Sequence, residues 1–145
     1  MGFMRQYVLD AVRDPQQRIR ELTLSIVPRN YVGQVRAVQQ WVQQNIRYIR
    51  DPMDANGGVE LVQEPVYTVQ HRAGDCDDQS VLVASMLSSI GHPERFAAFG
   101  FNGGPLEHVL SQTQIGPHWV SVETIEARPL GWEPPNITSR YYRKI

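Results

Sequence analysis

The order of hydrophobic periodicities along this chain predicts an α+β fold, with helices first and an antiparallel sheet after them. Apolar residues recur at helical spacing through the first third and again from residue 76 to 90. From residue 94 onward the spacing falls towards two, and Gly and Pro turns separate the runs. The bulk composition fits one domain spanning residues 1–145. Hydrophobic residues make up 41% and charged residues 20%, enough apolar material for a core without disulfides or a structural metal.

Val8, Val12, Ile19, Leu22 and Ile26 recur at three-, four- and seven-residue intervals, and Asp14-Pro15 breaks the run into two helices. Pro28 ends the second. Val35, Val38, Trp41, Val42, Asn45 and Ile46 form a cleaner stripe that stops near Tyr48 and Asp51-Pro52. Residues 51–75 are dense in turn formers (Asn56-Gly57-Gly58, Glu64-Pro65, Gly74-Asp75) and read as a long loop with at most short ordered pieces. Loops of that length inside a compact domain are often functional. A helix from about Cys76 to Ile90 follows, closed by Gly91. Residues 95–101, 107–113 and 118–125 read as strands, and residues 136–143 as a last edge strand or helix.

The net charge of −1 gives no basic footprint, which argues against nucleic-acid binding through phosphates. No apolar run approaches the ~18 residues of a membrane-spanning helix, and the first residues lack the apolar stretch of a secretory signal. The single cysteine excludes an intrachain disulfide and suits a reducing compartment, so the expected location is cytoplasmic.

That cysteine, Cys76, sits at a helix start. Asp75 is placed to cap the helix, with Asp77 and Asp78 in its first turn. At ~100° per residue, Cys76, Val83, Leu87 and Ile90 share an arc of roughly 60°, which turns the thiol to the buried side. A helix N-terminus favours the thiolate, but three neighbouring carboxylates oppose it. Activation therefore needs a cationic partner; without one, Cys76 is a small buried hydrophobe.

His108 supplies a candidate. It begins the run His108–Thr113, and the run His118–Glu123 matches it across Gln114-Ile115-Gly116-Pro117. A four-residue loop sets Thr113 opposite His118 and His108 opposite Glu123, as does a two-residue turn at Ile115-Gly116. A carboxylate there would bind one imidazole nitrogen and leave the other for the thiol, the series that nucleophilic catalysis needs. The plainer reading is a surface cross-strand pair of little consequence. His71, His92 and His118 lack an equivalent partner. A zinc site from Cys76, His108 and Asp77 or Asp78 would lack the paired, closely spaced ligands typical of such sites.

These residues resemble the transglutaminase-like superfamily. The resemblance runs over roughly residues 35 to 125. It rests on Gly74-Asp75-Cys76-Asp77-Asp78, the apolar helix ending Ser89-Ile90-Gly91, His108-Val109, and Trp119-Val120-Ser121-Val122-Glu123. Trp41–Tyr48 looks like the helix that precedes the active-site loop in that family. The resemblance implies a papain-like core in which N-terminal helices and a catalytic helix pack on an antiparallel sheet. It implies Cys76 as nucleophile, His108 as base, and Glu123 where the family usually has Asp. The oxyanion donors would be the Cys76 backbone N–H and a side chain from the preceding loop, Gln70 or else Tyr67. Asp75 and Asp77 flank the nucleophile on the substrate-binding side. The chemistry implied is a Cys76 thiolate, paired with protonated His108, attacking an amide to give an acyl-enzyme. Hydrolysis is favoured over transamidation in so short a chain. The substrate would be a protein or peptide, with no cofactor, metal, nucleic acid or membrane required. The ending Pro129–Pro135 looks like a bacterial branch that includes phage and prophage proteins, which keeps open a structural or assembly role without turnover.

Overall fold

The computed structural model describes residues 1–50 and 62–145. The Asp51-Pro52 stop and the Asn56-Gly57-Gly58 turn lie outside the described residues. The first helices form where the periodicity places them: α1 (Gly2–Val12), α2 (Arg18–Ile26) and α3 (Tyr31–Asn45). The Asn30 side chain caps α3 by accepting the Gly33 N–H. β1 (Arg47–Tyr48) then pairs in parallel with β2 (Ala73–Gly74). Between them the expected loop holds a real helix, α4 (Pro65–His71), with Pro at its first position where a missing N–H costs nothing. Seven residues are too few for a periodic signal to stand out from the turn formers around them.

The central helix is α5 (Cys76–Ser89), against which α1, α2, α3, α4 and the sheet all pack. Residues 78–87 are buried without interruption. The expected one-sided stripe is thus replaced by a helix enclosed all round, as a helix at the centre of a fold must be. Its flanks belong to two apolar clusters. Leu82, Val83, Met86 and Leu87 join Val35, Val38 and Val42 of α3 and Ile19 of α2. Val81 and Ala84 join Met4 and Val8 of α1 with Phe96 and Val109 of the sheet, and Cys76 packs on this second cluster.

The sheet contains β3 (Glu94–Phe101), β4 (Leu106–Ile115), β5 (His118–Val122) and β6 (Ile137–Lys144) in the antiparallel order β5-β4-β3-β6. The last segment is therefore an edge strand. A third cluster, Ala97, Phe99 and Leu110 with Phe101 and Ile137, completes the sheet's apolar packing. Ile115 pairs with His118, so the hairpin turn is Gly116-Pro117 and the strands are offset by two residues from the expected register. Gly116 has φ +59°, which suits the first central position of a type II′ turn, and Pro fits the second. An even offset keeps every side chain on its expected face. Among the described residues no helix is long and apolar enough to cross a membrane.

Candidate active site

The start of α5 is fixed by a reciprocal cap. Asp75 Oδ1 accepts the Asp78 N–H at 3.0 Å, and the Asp75 N–H donates to Asp78 Oδ2 at 3.0 Å. Asp78 Oδ1 also accepts the Gln63 N–H at 2.7 Å, tying the segment before α4 to the same carboxylate. The chain before the cap passes so close that a Cβ at Gly74 would lie 2.7 Å from Asp78 Cβ. Parallel pairing of Tyr48 with Gly74, continued by the Ile49 N–H to Gly74 O at 3.2 Å, brings the end of α3 alongside.

Cys76 is the first residue of α5 and faces the beginning of β4. The Ser80 hydroxyl lies 2.6 Å from Cys76 O and 3.2 Å from Val109 O, and the Ser111 hydroxyl donates to Ser80 O at 2.9 Å. These contacts stitch the helix start to the strand that carries His108. Cys76 and His108 line one cleft of about 800 Å³, together with Tyr48, Arg50, Asp75, Asp77, Glu107, Val109 and Tyr141 among others. His108 Nε2 is 2.9 Å from Glu123 Oε2, with Glu123 almost wholly buried.

The observed register modifies the expected opposition. Continuing the β4–β5 pairing past Ser111–Val122 sets Glu123 across from Leu110, so it reaches His108 diagonally. Diagonal partners stand farther apart than opposed ones, and the extra methylene of Glu over Asp suits that distance.

Electrostatics around the thiol run against ionisation. Burial pushes the Cys76 thiol up to about 12, with the Asp77 carboxylate and then Asp75 adding to the rise, while the Val109 and Asp77 backbone N–H groups act against it. The expected competition between helix end and carboxylates is thus decided for the protonated thiol. Burial also raises the Asp75 carboxyl to about 7, opposed by its hydrogen bond with the Asp78 backbone and reinforced by the Asp78 charge.

Not every expected site residue arrives at the cleft. Asp75 and Asp77 line it. Gln70 and Tyr67 lie exposed on α4 and are not among the cleft residues, and the Tyr67 ring stacks on His71 at 3.7 Å. The reason is α4 itself: as a helix, it turns these two side chains to solvent while Pro65 and Thr68 face inward. His92 is buried against Tyr31 and Gln34, and His118 is exposed beside the turn. Tyr48, Arg50, Glu107 and Tyr141 were missed because separate elements assemble them. Among the described residues no cluster of three or more His, Cys, Asp or Glu could hold a metal ion.

The chain matches the family model described as the transglutaminase-like superfamily over residues 19–132. No curated protein sequence is a significant match. In three dimensions the chain is similar to a candidate cysteine protease from Cytophaga hutchinsonii, with a TM-score of 0.62 and 17% identity over 100% of this chain and 56% of that one. It is also similar to a candidate protease from Parabacteroides distasonis (TM-score 0.64, 11% identity, 84% of this chain and 25% of that one). Calcium-bound LapG of Legionella pneumophila gives a TM-score of 0.66 at 16% identity over 94% of this chain and 80% of that one. The chain thus spans about half the length of the first of these proteins and a quarter of the second. At such identities the likeness is one of fold. The family match itself covers both the cysteine helix and the histidine hairpin, and the chain belongs to the transglutaminase-like superfamily.

Proposed function

We propose that this protein is a cysteine-dependent hydrolase of amide or peptide bonds, acting through Cys76, His108 and Glu123. The observation that carries this reading is the 2.9 Å bond from His108 Nε2 to buried Glu123, made by a histidine on the same cleft as the cysteine. With Nε2 engaged, Nδ1 is the nitrogen left for the thiol.

Because burial and carboxylates hold the thiol protonated, the resting pair is thiol and imidazole rather than the thiolate–imidazolium pair expected above. His108 then acts as general base while the bond forms. Sulfur attacks the carbonyl carbon as its proton passes to Nδ1, and the carbonyl π pair moves to oxygen. The Cys76 backbone N–H, at a helix position without an intrahelical acceptor, stabilises the oxyanion, with the Tyr48 phenol taking the role first given to Gln70 or Tyr67. Collapse breaks the C–N bond, and the imidazolium protonates the leaving amine. Water, deprotonated by His108, then cleaves the thioester and returns Cys76 as the thiol. Glu123 holds the ring and offsets its transient charge.

A panel of peptide, glutamine-containing and cell-wall amide substrates tests this reading. Wild type turns over at least one class and Cys76→Ala abolishes that turnover. Turnover that survives Cys76→Ala overturns the proposal. The raised thiol favours one other reading, a fold retained for an assembly role. In that case Cys76→Ala would leave the biological role intact and no substrate class would be hydrolysed.

A further inference from the structure

Two glutamines on α3 stand far in sequence from the proposed triad, and neither is on the cleft. The Gln39 side chain is 2% exposed, on a helix face otherwise built from Val35, Val38 and Val42. Its amide nitrogen donates to Glu123 O at 3.1 Å and to Arg128 O at 3.0 Å, which uses both of its hydrogens. One turn on, the Gln43 amide nitrogen lies 3.0 Å from Glu123 O, 3.2 Å from Glu126 O and 3.0 Å from Arg128 O. The Glu123 carbonyl therefore accepts from two separate side chains, filling both of its lone pairs.

β5 ends at Val122, so Glu123 is the first residue that no ladder bond orients. The segment after it folds back through the Gly131 N–H to Ser121 O at 2.8 Å. We propose that Gln39 and Gln43 are positioning residues that hold the Glu123 backbone, so that its carboxylate meets His108 across the diagonal of the hairpin. This rests on the triad reading and deepens it. A glutamate has one more rotatable bond than the aspartate usual in the family. With its Cα allowed to drift, that arm would sample many placements; with the carbonyl held twice, the 2.9 Å contact becomes the favoured one. The glutamines also serve the fold by satisfying buried carbonyls, so the test must separate the two roles.

The test is the rate of Cys76 alkylation by iodoacetamide at about pH 7.5, where the buried thiol reacts slowly unless a base takes its proton. It is measured on the full chain with Tm recorded beside it. Gln39→Met and Gln43→Met remove the donors at similar side-chain length; Gln43→Met is the safer fold, because Gln43 is only partly buried. The expected result is a severalfold fall in rate for either variant. In a Glu123→Ala background the same substitutions then lower Tm without lowering the rate further. An unchanged rate with a lowered Tm, or an equal fall in both backgrounds, overturns the positioning role. The triad reading fails differently: His108→Ala would then leave the alkylation rate unchanged.

Discussion

At the scale of single residues, the proposed chemistry turns on Cys76, His108 and Glu123, and Asp75 adds a pH dependence of stability. The pairing of His108 with Glu123 was legible in the sequence because two matching runs flank one short turn, and parity alone decides which side chains share a face. Its diagonal form was not legible, since turn length sets the offset and Gly116-Pro117 suffices by itself. Glu123→Asp, though it restores the residue usual in the family, withdraws the carboxylate by about 1.5 Å, one C–C bond. With the backbone held by Gln39 and Gln43, the His108 contact is lost and turnover falls at least tenfold; activity equal to wild type would contradict the diagonal geometry. Asp75 gives a pH dependence. Its folded-state value of about 7 lies above the ordinary 3.8, so folding favours the protonated form. The stability this contributes is complete below about pH 4 and is lost as pH rises through about 7. Asp75→Asn, which can still accept the Asp78 N–H, should flatten that decline in urea midpoints measured from pH 4 to 8. An unchanged slope would assign it to other groups.

At the scale of elements, helices and strands emerged close to where periodicity and turn residues placed them: α1, α2 and α3 each bury one face, whereas β3 and β4 are buried over continuous runs rather than in alternation. Periodicity missed α4, which is too short to repeat a pattern; it placed α5 but not that helix's burial all round. The two oxyanion candidates on α4, Gln70 and Tyr67, lie away from the cleft. On α4 Tyr67 and Gln70 are exposed while Pro65 and Thr68 are buried, whereas Tyr48 of β1 lines the cleft where β1 pairs with β2. The close approach of that pairing to the α5 cap makes a sharp prediction. Gly74→Ala places a methyl 2.7 Å from Asp78 Cβ, against a carboxylate that the Gln63 and Asp75 backbone N–H groups both hold. A cost of about 1–3 kcal/mol is expected in denaturant unfolding, together with slower Cys76 alkylation as the helix start shifts. A neutral outcome would mean that the cap relaxes freely.

At the scale of the whole molecule, the helical half carries Cys76 and the sheet half carries His108, and α5 packs against both halves. Its residues contribute to two apolar clusters, one shared with α2 and α3 and the other with α1 and the sheet. Residues 1–145 should therefore unfold in a single cooperative transition. Leu82→Ala, at a fully buried position, should lower that stability by about 2–5 kcal/mol without splitting it; two resolved transitions would show that the halves fold independently. The same joining of halves underlies the proposed chemistry, and the pH dependence of Cys76 alkylation in wild type and His108→Ala tests it most directly. If His108 takes the thiol's proton, wild type is alkylated at about pH 7.5 at least tenfold faster than the variant. In His108→Ala, labelling rises only in strongly alkaline solution, towards the value of about 12 that burial and Asp77 impose. Superimposable profiles for the two proteins would show that the helix and the sheet meet at Cys76 without His108 acting on it.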